Sequence, residues 1–180
     1  LKDLNFLHVI IQIQFGRTAQ YTENGFDTIE FRISTNPGEP VKALAKVVSG
    51  GELSRIMLAI KTILADRDET ESLIFDEIDT GISGRTAQMV SEKMAQIGRR
   101  HQVLCITHLP QIAAMADQHF EIRKDVVDQD TVTRIHALDE ESSVRELARM
   151  LGGAKITDSV LANAEEMKEL ARVQKNTRLK

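Results

Sequence analysis

The chain has no G-x-x-x-x-G-K-[ST] phosphate loop anywhere in its 180 residues, which excludes a self-sufficient P-loop nucleotide site within it. It has one cysteine, Cys105, which excludes an internal disulfide. Set in an apolar run, that residue reads as a small buried side chain in a reducing compartment. No apolar stretch reaches membrane-spanning length. The opening Leu1-Lys2-Asp3-Leu4-Asn5 is not a signal peptide. Because Leu4 to Phe15 already reads as strand, the expectation is a chain that begins partway through a larger protein. Positive charge is not in excess: the net charge is −4, so the surface as a whole is not a nucleic-acid footprint. Small basic clusters do occur at Arg99-Arg100-His101 and at Arg172, Lys175, Arg178 and Lys180. A solvated helix face explains them as well as phosphate contacts do. There is no internal repeat and no low-complexity segment.

What is present suits one soluble domain with a real core: 42% hydrophobic and 28% charged residues. Phe6 to Phe15 is apolar-rich, and Thr28 to Ser34 alternates Ile29, Phe31 and Ile33 with polar residues, which predicts two strands with Asn24-Gly25 turning between them. Asn36-Pro37-Gly38-Glu39-Pro40 predicts a loop. From Glu52 the period becomes helical, with Leu53, Ile56, Met57, Ile60, Ile63 and Leu64 on one face. A buried strand at Leu73–Phe75, a helix near Arg85–Ile97 and a buried strand at Val103–Ile106 give the strand–helix–strand pattern of a parallel sheet. Gln118–Lys124 and Thr131–Ala137 predict an antiparallel pair about an Asp128-Gln129-Asp130 turn. Two helices close the chain. The first has Ser143-x-x-Glu146 as a capping box and Gly152-Gly153 as its stop. The second runs from about Asp158 to Val173, with Val160, Leu161, Ala164, Met167, Leu170 and Ala171 on its apolar side.

Three short motifs carry chemistry. Ser49-Gly50-Gly51-Glu52 opens a helix and is itself a capping box. A capping box does not explain two glycines in a first turn, where each costs about 1 kcal/mol of helix propensity against alanine. Glycine is useful where another group approaches the backbone closely, and a helix N-terminus favours anions, phosphate above all. Leu73-Ile74-Phe75 ends in Asp76-Glu77, two carboxylates at the carboxyl end of a strand, where open parallel sheets bind ligands. One could hold Mg²⁺ through water and the other polarise an attacking water; a wet acidic turn is the plainer reading. Val103-Leu104-Cys105-Ile106 ends in Thr107-His108 and delivers a titratable residue to the same edge. His108 could there bond a γ-phosphate or the attacking water. His8, His101, His119 and His136 read as structural. The order and spacing of the three motifs together point to ATP chemistry.

On these residues the chain resembles the ABC-type ATPase heads of the SMC-like family. Ser34 to Pro40, Ala45 to Arg55, Leu73 to Gly84, Thr107 to Ala113 and Glu146 to Gly153 carry the resemblance, which spans about residues 28–173 and is closest to a bacterial DNA-repair branch. It implies an α/β fold: the C-terminal lobe of a P-loop ABC-type head, mostly parallel sheet with flanking helices and an antiparallel β portion. Residues 1–180 would form the C-terminal portion of one head domain, without the phosphate-loop lobe and coiled coil. It implies ATP and Mg²⁺ as cofactors, with Asp76 as magnesium ligand and Glu77 and His108 as catalytic groups. Ser49, Gly50, Gly51 and Glu52 would form the signature that meets ATP held by a facing copy, and Asp79 would begin the loop next to it.

Val48 stands where leucine is usual, and Ser83 where that loop commonly ends in aspartate. The partners implied are DNA and a second copy of the head, with no membrane and a cytoplasmic, nucleoid-associated location. The expected activity is ATP hydrolysis by the complete head dimer in double-strand break repair, the isolated segment being inactive. A transporter's nucleotide-binding domain and a non-catalytic dimerisation module are the alternatives. Asp79 to Ser83 and Leu109 to Ala113 argue against the transporter, and joint retention of Asp76, Glu77 and His108 against the inert module.

Overall fold

The structure is a computed structural model, and it describes residues 1–177 apart from 7, 48, 66, 68, 128, 129 and 154. Val48, the Asp128-Gln129 part of the expected turn, Arg178 and Lys180 therefore lie outside the described residues.

Strand β1 (Ile10–Thr22) and strand β2 (Gly25–Ser34) form a long antiparallel hairpin, and the short β3 (Lys42–Ala43) pairs with β2. Gly25 turns the hairpin at φ 99°, a conformation open to glycine and strained for other residues. The predicted first strand starts later than expected. Lys2–Leu4 form a single 3₁₀ turn, and Asn5 follows in the left-handed region at φ 72°. The reason is packing: Leu4 and Phe6 are buried in the main core instead of alternating along a strand.

After the one-turn helix α1 (Leu44–Val47) comes α2 (Gly50–Leu64), then β4 (Ser72–Phe75), α3 (Gly84–Ile97) and β5 (Gln102–Cys105). Strands β4 and β5 pair in parallel, Leu73 opposite Val103 and Phe75 opposite Cys105. The α/β class and the parallel unit agree with the sequence, but among the described residues the parallel portion is two strands and most of the pairing is antiparallel. Nor are those strands buried on both faces. Leu73 and Phe75 join the core with Ile56, Leu58, Val90, Met94 and Ile97. Ile74 is 72% exposed and Leu104 48%, because successive strand residues face opposite ways and the helices cover one face. The same holds for α2: of its expected apolar face only Ile56 is fully buried, while Leu53, Met57, Ile60, Ile63 and Leu64 are exposed.

Helix α4 (Pro110–Ala114) leads to the antiparallel β6 (His119–Val127) and β7 (Asp130–Leu138), then α5 (Glu140–Gly152) and α6 (Asp158–Thr177). A second core forms where Leu147 and Ala148 of α5 meet Ala164 of α6 and Ala113 and Ala114 of α4. The α5 cap is Asp139, whose carboxylate accepts from the Ser142 amide at 2.8 Å. It is not the Ser143–Glu146 box. Ser143 is buried within the helix, where its hydroxyl meets His119 Nδ1 at 2.9 Å and accepts from Lys168 Nζ, and Glu146 instead pairs with Arg149. Gly153, at φ 67°, ends α5 as expected.

His119 links β6 to α5 through Ser143, to which Lys168 of α6 also donates. Burial and the nearby Lys168 ammonium hold its pKa below the usual 6.5, against a weaker opposing pull from Glu146 and Glu121. The neutral ring is thus the folded form, and the unfolded chain takes up the proton first. Stability contributed by this group is present above the unfolded value of about pH 6.5 and is lost progressively below it, as pH falls through the lower folded pKa. Urea unfolding at pH 7.5 and 5.5 should show this loss, and His119→Gln should make the two curves coincide more closely.

Candidate functional site

The capping box at the start of α2 is formed. The Glu52 amide donates to Ser49 Oγ at 3.3 Å, and the Ser49 amide donates to Glu52 Oε2 at 3.1 Å. Ser49 and Glu52 are therefore partly occupied by one another. Gly50 and Gly51 have a partner in their own chain. A methyl carbon placed on Gly50 would lie 2.5 Å from Glu77 Oε2, and one on Gly51 would lie 2.7 Å from the Glu77 carbonyl oxygen and 3.0 Å from Thr80 Cβ. Both distances are below carbon–oxygen contact. These helical glycines, each about 1 kcal/mol less favourable than alanine in a helix interior, make room for the turn that follows β4.

The rest of α2 grips that turn through its carbonyls. Ser54 Oγ donates to the Asp76 carbonyl at 2.9 Å. Arg55 is 5% exposed and donates through one terminal nitrogen to the carbonyls of Ile78 at 3.2 Å and Thr80 at 2.9 Å. Its guanidinium also lies over the Phe6 ring, 5.6 Å from the centroid, a cation–π placement. Burial lowers its pKa, partly offset by Glu52, yet a guanidinium stays cationic at neutral pH. Its Nε has no acceptor among the described residues. The sequence reading did not assign Arg55 a role. The signal was there, a cation one residue before Ile56 on a helix that packs on the next loop.

Asp76 and Glu77 emerge at the end of β4, and both are exposed. The Glu77 amide donates to Asp76 Oδ1 at 2.9 Å, and Glu77 itself sits at φ 55°. That left-handed conformation costs a non-glycine residue about 1–2 kcal/mol. It directs the Glu77 carbonyl at Gly51, where it also accepts from the Thr80 amide at 3.0 Å.

Asp79 is 3% exposed. Its Oδ2 accepts from Thr107 Oγ1 at 2.6 Å and from the His108 amide at 2.8 Å, and His108 Nδ1 approaches the same oxygen at 3.0 Å. The Asp79 carboxylate thus holds the turn after β5 against the turn after β4 and does not face solvent. The His108 ring is 72% exposed, and a proton on Nδ1 would face Asp79, which leaves Nε2 turned outward. Asp76, Glu77 and His108 are brought to one sheet edge, as expected. Ser49–Glu52 are there too, packed on that edge from the same chain.

Cys105, at the end of β5, has its thiol pushed up to about 12, first by burial and then by Asp79 and Asp76, and so is inert as a nucleophile at neutral pH. Of the other histidines, His101 is buried between the Thr70 and Ala65 carbonyls and His119 is packed as described, while His8 and His136 are exposed. Arg172 and Lys175 pair with Glu140 at 2.6 Å and Asp117 at 2.7 Å, which fits a solvated helix face. Replacing Asp79 with alanine would leave the Thr107 hydroxyl and the His108 amide without their shared acceptor. Asp79→Ala should lose about 2–3 kcal/mol in urea unfolding; a change within experimental error would refute the tie.

No family model matches the chain. It is 51% identical over 164 residues to the DNA repair protein RecN of Halalkalibacterium halodurans, a match covering 89% of this chain and 29% of that protein. It is 50% identical over 162 residues to RecN of Bacillus subtilis, covering 90% of this chain and 28% of that protein. The chain therefore spans between a quarter and a third of the length of these relatives. Its fold is similar to a crystal structure of the Smc head domain with a coiled coil and joint from Pyrococcus yayanosii, with a TM-score of 0.53 and 22% identity over 81% of this chain and 27% of that one. With half of its residues shared along most of its own length, the chain corresponds to one segment of RecN proteins, and its fold is similar to that of an SMC head.

Proposed function

We propose that this chain is the C-terminal part of the head of an SMC-like, ATP-hydrolysing DNA repair protein. The observation that carries the reading is the joint placement of Asp76, Glu77 and His108 on one sheet edge, tied through Asp79. The remainder of the head, with the phosphate loop, would pack on the exposed apolar side of α2, β4 and β5. A transporter's nucleotide-binding domain is not favoured by the similarity to RecN proteins.

Asp76 fits a magnesium site of the kind completed by phosphates and water: an exposed hard oxygen ligand at a strand end. When bound, Mg²⁺ would neutralise charge on the transferring phosphoryl group. Glu77 would take the proton of the attacking water on its carboxylate. His108, oriented through Nδ1 by Asp79, would present Nε2 to the γ-phosphate or that water. Ser49, Gly50 and Gly51 at the N-terminus of α2 would meet ATP held by a second copy of the head, where bare amides and the helix dipole favour an anion. Hydrolysis would then part the two heads and change the hold on DNA. Cytoplasmic location follows from the same reading.

In the full-length protein, Glu77→Gln should keep nucleotide and head pairing while slowing hydrolysis at least about 10²-fold, the range of a lost general base. A wild-type rate in steady-state ATPase assays would remove Glu77 from that role. Ser49→Arg should abolish ATP-dependent pairing of heads in sedimentation while leaving nucleotide bound; unimpaired pairing would contradict the signature assignment.

A further inference from the structure

The reading above gives the glycine turn of α2 one task, performed on the nucleotide of a facing copy. The contacts within the chain give it another. We propose that Gly50 is a positioning residue for the hydrolytic carboxylate of its own chain: the space left by its missing side chain is where Glu77 rests. This inference rests on the proposed role of Glu77.

Gly50 is the first residue of α2 and has no positive φ, so its backbone does not require glycine. The reason for glycine is spatial, since a Cβ would come 2.5 Å from Glu77 Oε2. That atom is the far end of a flexible side chain, so alanine at Gly50 would move the carboxylate and leave the turn in place. Gly51 differs. Its Cβ would strike the Glu77 carbonyl oxygen at 2.7 Å, which is backbone held also by Thr80, so alanine there would displace the whole turn. Three further contacts hold the two segments in register: Ser54 to the Asp76 carbonyl, and Arg55 to those of Ile78 and Thr80. The left-handed backbone of Glu77 sends its carbonyl toward Gly51, while the side chain lies over Gly50 at the positive end of the helix, a favourable place for a carboxylate. The same two glycines would thus set Glu77 in one site and face the phosphate in the other, so that a signature turn moved by a partner's nucleotide also moves the base of its own.

Hybrid dimers of the full-length protein separate the two tasks. One chain carries Gly50→Ala and its partner carries Glu77→Gln. The site that uses the partner's Glu77→Gln is silent. The other site has an intact Glu77 and an intact facing signature, and is touched by Gly50→Ala only within its own chain. The proposal expects that site to turn over at least about ten-fold more slowly, with KM little changed, since displacing a reacting group by about 1 Å can cost up to about 10²-fold. Turnover at the full rate of one intact site would overturn it while leaving the head-pairing reading standing. Absence of ATPase activity in the wild-type dimer would overturn both.

A second measurement needs no catalysis. In this chain, Gly50→Ala should raise the Tm when introduced beside Glu77→Ala, as alanine does at a helical position. With Glu77 present the rise should shrink or reverse. Equal changes in the two backgrounds would overturn the contact.

Discussion

The packing of the first turn of α2 against residues 76–80 is the constraint on which the site depends. Two side chains are omitted at this approach: Gly51 lets backbone meet the Glu77 carbonyl, and Gly50 leaves room for the Glu77 carboxylate. Around this close approach, Ser54 and Arg55 satisfy carbonyls that a tight turn leaves open. A buried carbonyl without a donor is costly, and a buried guanidinium needs acceptors, so each group supplies what the other lacks. The turn is held from the opposite side by Asp79, which collects the Thr107 hydroxyl and the His108 amide on one oxygen. Helix start, acidic turn and histidine turn thereby become one unit.

That unit sits at the margin of a core that is closed on one side only. Leu73, Phe75, Ile56 and Val90 are covered by α2 and α3, while Ile74, Leu104 and the Leu53–Met57–Ile60 stripe remain exposed. The β1–β2 hairpin adds to this apolar surface: Ile13 opposite Phe31 and Phe15 opposite Ile29 are all exposed. Contiguous apolar surface of this kind marks an interaction site, in keeping with the proposal that further parts of the head pack here. The second core, of α4, α5 and α6, is separate and is linked to β6 through His119, Ser143 and Lys168.

Periodicity and punctuation made most elements readable in advance. The strand–helix–strand unit follows from short apolar runs around an amphipathic segment, and two glycines with positive φ mark boundaries, Gly25 where β2 opens and Gly153 where α5 ends. The capping box of Ser49 and Glu52 is a local interaction, so four residues were enough to see it. Where the reading departed from the structure, a distant contact had prevailed over a local pattern. Leu4 and Phe6 belong to the core and not to a strand, and Ser143 is drawn into a polar cluster with residues 24 and 25 positions away. The S-x-x-E spacing there has the form of a cap without the position of one, since Asp139 already holds the helix start.

The identity and order of the chemical groups are a property of the chain: a glycine turn on a helix, two strand ends bearing Asp76-Glu77 and Thr107-His108, and no phosphate loop among them. Such features depend on neighbours within a few residues, and local chemistry writes them directly. Which groups touch is another matter. That Asp79 turns inward to hold Thr107 and His108, that Arg55 is spent on loop carbonyls, and that Gly50 accommodates Glu77 of the same chain all require segments some 23 to 29 positions apart to meet. A sequence pattern carries no distance between such segments; the packing of α2 and the parallel pairing of β4 with β5 set it.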